Sequence, residues 1–244
     1  MKRLLILAIT LLLVSCGTSE PPPTRTPTPP QDITGFVYFE DSENGLKFQH
    51  PEQWAELDAS VLDDDADTAA LCAMLGISAN TLRNALSEST LIILFDADDL
   101  ANDENNIAND TTNDAARALD ITPVFSVRVV FADGFSPNSL RDKATVAEFR
   151  TAFAARFSET FANQFESDAS FAWIKEPTSE EFGNNVLITY AADITAGEVR
   201  QTIYQAIAVG TDKFFFFTFT EPFSNRGSNS PSIPRAILSS VVIE

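Results

Sequence analysis

The chain has 244 residues, 44% of them hydrophobic, with 35 acidic against 16 basic side chains and a formal net charge of −19. Such a composition excludes disorder and leaves room for one domain of about 200 residues with a full core. The charge disfavours nucleic acid or anionic lipid as a partner of the folded part. It is compatible with a solvated acidic surface, a basic partner, divalent cations or a salt-adapted source.

Lys2 and Arg3 precede an 11-residue apolar run, Leu4 to Val14. A hydrocarbon core needs about 20 apolar residues, so this run is too short to span one. It has the form of a secretory signal, expected to occupy residues 1–15 and to be removed. Its removal leaves 14 basic against 35 acidic residues, a net −21. Cys16 and Cys72 are the two cysteines. A disulfide between them is disfavoured, because Cys16 sits at the end of the signal beside a proline-rich stretch. Residues Gly17 to Gln31 hold six prolines and four threonines. A linker of that kind extends by about 3.1 Å per residue and holds a domain on the order of 45 Å from its anchor.

Leu13-Val14-Ser15-Cys16 resembles the lipobox of bacterial lipoproteins. The resemblance implies that the Cys16 thiol is the lipid attachment point, carrying a diacylglyceryl group, with a further acyl chain on the new amino terminus. More than one chain matters, because each buried CH₂ adds about 0.8 kcal/mol and a single chain anchors only marginally. The expected localisation is a cell membrane, lipid-anchored and facing the extracytoplasmic side, with residues 16–34 as lipidated Cys and linker and residues 35–244 as one domain.

In the folded part, Phe36–Phe39 and Leu46–His50 form two strands joined at Ser42-Glu43-Asn44-Gly45, where Asn-Gly tolerates positive φ. Pro51 ends the second strand, and Trp54 is expected to pack back on the hairpin. Residues 67–88 read as one or two short helices broken near Gly76, with Ser78 a plausible N-cap. Thr90–Phe95 is apolar on both faces and hence a central strand. A polar excursion of about 25 residues follows, a length typical of functional or mobile loops. Thr122–Phe131 is the next strand, and a helix from about Asp142 to Phe165 carries Phe149, Phe153, Phe157, Phe161 and Phe165 at every fourth position. Each step falls about 40° short of a full turn, so the rings sweep about 160° and form a broad core face. Strands follow at Phe171–Lys175, Asn185–Ala192, Glu198–Val209 and Lys213–Thr220, with turns at Thr195–Gly197 and Thr211-Asp212. Pro234 to Val241 is a closing helix or turn. The order β-β-α-β-β-α-β-β-β-β-α predicts an α+β fold, a mostly antiparallel sheet flanked by helices.

Asp41, Gly45, Leu46, Phe48, Pro51 and Trp54 form a D-x-x-x-G-[apolar]-x-Phe-x-x-Pro-x-x-Trp pattern. With the mid-chain helix, the Phe-rich late strand and the final P-x-x-[Ile]-L-x-S turn, it resembles the PsbP/DcrB-like α/β/α sandwich superfamily, over about Gly35 to Glu244. The resemblance implies an α/β/α sandwich in an exported lipoprotein, and a binding or assembly role like that of extrinsic photosystem II subunits. The motif residues themselves are turn, strand and core positions, and a fold does not give a function. The acidic insert at 96–120 departs from the pattern.

Chemistry-bearing motifs are few. There is no G-x-S-x-G elbow, Walker loop, G-x-G-x-x-G or H-E-x-x-H. His50 is the one histidine and is expected at a surface or strand edge. Cys72 lies in an apolar stretch and reads as a small buried hydrophobe. Two acidic runs are candidate calcium ligands: Asp63, Asp65 and Asp67, and Asp96, Asp98, Asp99, Asp103 and Glu104. The first run has Thr68 and Met74 where an EF-hand loop needs Gly and Glu. The expectation is a non-catalytic binding or assembly module with no required cofactor, a membrane contact through Cys16, an unidentified protein partner and no nucleic acid. A calcium-binding lipoprotein and a hydrolase using paired carboxylates are the alternatives.

Overall fold

The computed structural model describes residues 31–75, 78–86, 89–96, 124–131, 140, 142–148, 150–152, 155, 170–196, 199–222 and 232–243. Among the described residues, ten strands fall in two sheets. The smaller contains β1 (Phe36–Asp41), β2 (Leu46–Pro51) and β10 (Val242–Ile243), in the order β1-β2-β10. The larger has seven strands: β3 (Trp54–Leu57), β4 (Thr90–Asp96), β5 (Val124–Phe131), β6 (Ser170–Phe182), β7 (Asn185–Ala196), β8 (Val199–Gly210) and β9 (Lys213–Pro222). Their order is β3-β4-β5-β9-β8-β7-β6, and every described pairing in both sheets is antiparallel. Helices α1 (Asp65–Leu75) and α2 (Ala79–Ala85) follow a 3₁₀ turn at Ala59–Asp63. Helical residues 143–148, 150–152 and 155 form α3, and α4 spans Ser232–Ser240. The α+β expectation holds.

Strand alternation distributes the apolar residues between two layers. On β9, Phe215, Phe217 and Phe219 join Ile92, Leu94, Phe125 and Val127 on one face, beneath Phe48 of β2 and Ile237 and Leu238 of α4. Phe214 and Phe216 point to the other face, with Ile188, Tyr190, Ile207, Val209 and, from α3, Val146. A third cluster on that same face packs Leu82 and Leu86 against Leu57 and Phe95. A strand covered on both sides has no solvent face, which explains the unbroken FFFF run.

Local chemistry sets the ends of elements. Gly45 has φ 66, the left-handed conformation the β1–β2 turn needs. Asp41 closes the same turn by accepting from the Asn44 backbone N–H at 3.0 Å and from its side-chain amide at 2.7 Å. Asp64 caps α1, its Oδ1 accepting from the Ala66 and Asp67 amides at 2.7 and 3.1 Å. Asp212 supplies positive φ between β8 and β9, and β7 pairs with β8 as far as Ala196↔Val199. Both expected hairpins are therefore present.

Two expectations need correction. The sequence predicts one sheet, but the β1–β2 hairpin forms a separate small sheet with β10, while β3 joins the large sheet. Both β3 and β10 are too short to show a period. The strand expected at Phe171–Lys175 is longer, and residues 176–182 continue β6 to Phe182. They can do so because β6 is an edge strand. Its register shifts between Trp173 and Lys175 and again between Lys175 and Thr178, and Pro177 sits in the second irregularity, where no ladder N–H is required. The five-ring stripe from Phe149 to Phe165 lies outside the described residues.

The two ends of the domain meet at Ser240. Its hydroxyl accepts from the buried Gln49 N–H at 2.7 Å and donates to the Ile237 carbonyl at 2.7 Å. Ser240→Ala should lower unfolding free energy by about 1–3 kcal/mol, the cost of a buried donor left unmet. Urea denaturation should show a lower midpoint at unchanged slope.

Candidate functional site

Polar side chains converge at one end of the large sheet, on the face that the small sheet covers. Register defines the row. Trp54 pairs with Asp96 across β3 and β4. Phe95 and Thr220 both pair with Val124, so Asp96 and Glu221 each lie one residue beyond it. Glu221 pairs with Thr202, and Thr202 with Asp193. Alternation from Leu94 and Phe219, both in the core beneath Phe48, puts Asp96 and Glu221 on that same side. Asp96 and Glu221 are two strands apart, as are Glu221 and Asp193, which separates their backbones by about 10 Å.

Two members of the row are deeply buried: Thr202 is 0% and Glu221 2% exposed. Thr202 donates its hydroxyl to Asp193 Oδ1 at 2.8 Å. Trp54 is buried too, and its indole N–H has no acceptor among the described residues. The sequence carries one signal for this row. Phe215, Phe217 and Phe219 set a core-facing alternation whose next position is the carboxylate of Glu221.

His50 overturns its expected place. It is 0% exposed rather than at a surface. Its pairing with Val37, next but one to Phe48, turns the ring inward against the large sheet. Nδ1 lies 3.1 Å from the Pro51 carbonyl oxygen and Nε2 3.1 Å from Glu56 Oε1. Both neighbours are acceptors, so both contacts are hydrogen bonds only when each ring nitrogen carries a proton. The ring therefore ties β2 of one sheet to β3 of the other, and it is not open to a substrate.

A second polar group lies along the β6 edge. Lys175 Nζ is 2.6 Å from Glu180 Oε1 and donates to Thr189 Oγ1 at 2.7 Å, and Thr189 donates to Glu180 Oε2 at 3.1 Å. Partial burial pushes the Glu180 carboxyl up, but the hydrogen bond and charge of Lys175, with help from Thr189 and Arg235, outweigh it and hold the pKa below its ordinary value. On the opposite sheet face, Tyr190 donates to Gln205 and Gln205 to Thr218. Burial pushes the Tyr190 phenol up, so it stays a donor.

Of the sequence-predicted calcium ligands, Asp63, Asp65, Asp67 and Asp96 lie among the described residues. Asp63 ends the 3₁₀ turn, while Asp65 and Asp67 sit in the first turn of α1, where negative charge favours the helix dipole. All three are exposed. Asp96 ends β4, whereas Asp98, Asp99, Asp103 and Glu104 lie outside the described residues, as does Cys16. Among the described residues no group of three or more His, Cys, Asp or Glu side chains could hold a metal ion. Cys72 is half-buried and packs against the Leu57, Leu82, Leu86 and Phe95 cluster. Among the described residues no helix is long and apolar enough to cross a membrane.

The chain matches no protein-family model and no curated protein. Among solved structures it is similar to cyanobacterial PsbP (CyanoP) from Synechocystis, with 14% identity and a TM-score of 0.49, over 95% of this chain and 99% of that one. It is also similar to a crystal structure from Bacteroides thetaiotaomicron, with 10% identity and a TM-score of 0.40, over 87% of this chain and 49% of that one.

Two measurements check the site chemistry. In a double-mutant cycle, His50→Phe and Glu56→Ala should couple by about 0.5–1.5 kcal/mol. Additive effects would show that the contact contributes nothing. Glu180 has a depressed folded pKa, so its stabilisation is present above the ordinary glutamate value of about 4.3 and is lost as pH falls through the lower folded value. An NMR titration of its carboxyl carbon should move to higher pH in Lys175→Met.

Proposed function

We propose that the protein is a lipid-anchored, extracytoplasmic, non-catalytic binding or assembly module. The observation that carries the non-catalytic reading is the burial of the one histidine. His50 is engaged by Pro51 and Glu56 and bridges two sheets, so the base a hydroxyl nucleophile would need is absorbed by structure. Two of the described carboxylates fit the same view. Glu180 is held by Lys175 and Thr189, and Asp193 by Thr202. The lipobox-like Leu13-Val14-Ser15-Cys16 supports the anchor, and the proline-rich residues after it support a tether.

The reading is tested by fractionation. The wild-type protein should sediment with membranes, and its amino-terminal peptide should carry the mass of acyl chains on Cys16. Cys16→Ser should lose both. Unmodified Cys16 in a soluble wild-type protein would overturn the anchor.

A further inference from the structure

The edges of the two sheets are not alike. The β6 edge is broken by two register shifts and by Pro177, and the β3 and β10 edges are four and two residues long. These are the devices that keep a sheet edge from pairing with another strand. The outer edge of β1 has none of them. All six of its residues pair with β2 in unbroken register, and it contains no proline.

The hydrogen-bond phase of that edge follows from one contact. Glu52 donates its N–H to the Gly35 carbonyl at 3.0 Å, which brackets Phe36↔Pro51 as a pair that exchanges no hydrogen bonds. Alternation makes Tyr38↔Gln49 and Glu40↔Lys47 the same kind. Gln49 agrees, since it sends its N–H away from β1 to Ser240. The N–H and C=O groups of Tyr38 and Glu40 therefore point out of the sheet, as a strand-pairing template. Beside them Val37 is 38% exposed, on the inward side with Phe39 and Phe48. Tyr38 is 42% exposed, on the outward side with Glu40. Residues 31–53 hold five acids, Asp32, Glu40, Asp41, Glu43 and Glu52, against Lys47 alone among lysines and arginines. Lys47 is already placed, 3.1 Å from Glu40 and 4.6 Å above the Tyr38 ring.

We propose that β1 takes an extended segment of a basic partner protein as an added strand. Main-chain hydrogen bonds to Tyr38 and Glu40 supply affinity, and alternate side chains supply specificity. Inward side chains of the segment are apolar and sit beside Val37. Outward ones are lysine or arginine and lie along Glu40, Glu43 and Asp32. A second copy of this chain is the poorer occupant, because it brings the same acidic excess, five acids against Lys47 over residues 31–53, to the edge. The proposal rests on the binding-module reading but not on the anchor.

The test uses the purified protein in detergent with three synthetic peptides: alternating Lys-Val, the same composition in blocks, and alternating Glu-Val. The alternating Lys-Val peptide should bind at least about tenfold more tightly than either control, a difference of about 1.4 kcal/mol. It should weaken with added salt. It should slow hydrogen exchange at the Tyr38 and Glu40 amides, while those of Val37 and Phe39, already bonded within the hairpin, hold steady. Glu40→Pro removes an outward donor and no hairpin bond, so it should keep the fold and lose the binding about tenfold. Equal binding of the block peptide would overturn the proposal, as would exchange unchanged at both outward amides. Protection of those amides without peptide, with dimers in sedimentation, would make a second copy the occupant. A cross-linked partner recovered from cells alongside a failed peptide test would leave the module reading standing and this one lost.

Discussion

Three phenylalanine rings hold the two sheets to one another. Phe48 of β2 lies 6.0 Å from Phe125 of β5 and 6.3 Å from Phe217 of β9, and those two are 6.3 Å apart. Edge-on and tilted contacts of this kind add to the burial of each ring. The cluster is where the opening hairpin, the central strands and α4 all meet. The hairpin covers its inner face there, and together with α4 it lies over the Phe215–Phe219 side of β9. The polar row, the His50 bridge and the exposed β1 edge all take their positions from that contact.

Several of the chain's few cations are already committed within the fold. Lys47 meets Glu40, Lys175 meets Glu180, Arg150 meets Glu176, and Arg128 reaches Ser89 from β5. Lys213 donates to the Asn44 carbonyl, and Arg235 lies over the Phe182 ring. Exposed pairs among these add little stability. Their effect is to order the strand edges. A surface of this sign attracts basic partners over a Debye length of about 8 Å at physiological salt.

Much of the fold was legible because its long strands are periodic. The Asn-Gly turn, the β7–β8–β9 hairpins and the helix pair broken near Gly76 follow from local chemistry that tertiary structure did not override. What failed was short or contradictory. WAEL has four residues and its tryptophan reads as a packing group, so β3 stayed hidden. EPTSEEF has the composition of a loop and becomes strand only because a neighbouring β7 offers its edge. The polar row was legible only at Glu221, for a different reason. Asp96, Glu221, Thr202 and Asp193 come from four strands, and only registry across β5 aligns them. His50 looked like an edge residue beside proline, and its burial depends on a sheet that the sequence did not separate from the first.

The Gln49–Ser240 hydrogen bond joins residues 191 positions apart. Strand β2 gains its second neighbour only from Val242 and Ile243, and its buried amide gains its acceptor only from the end of α4. Closing so long a span is entropically slow, and topology of this kind sets folding speed. The opening hairpin must wait with one edge and one face uncovered until the last helix is in place. The domain therefore closes as a clasp rather than growing outward from its first hairpin. A chain interrupted before residue 232 would hold most of its sheet strands and still lack the element that seals them.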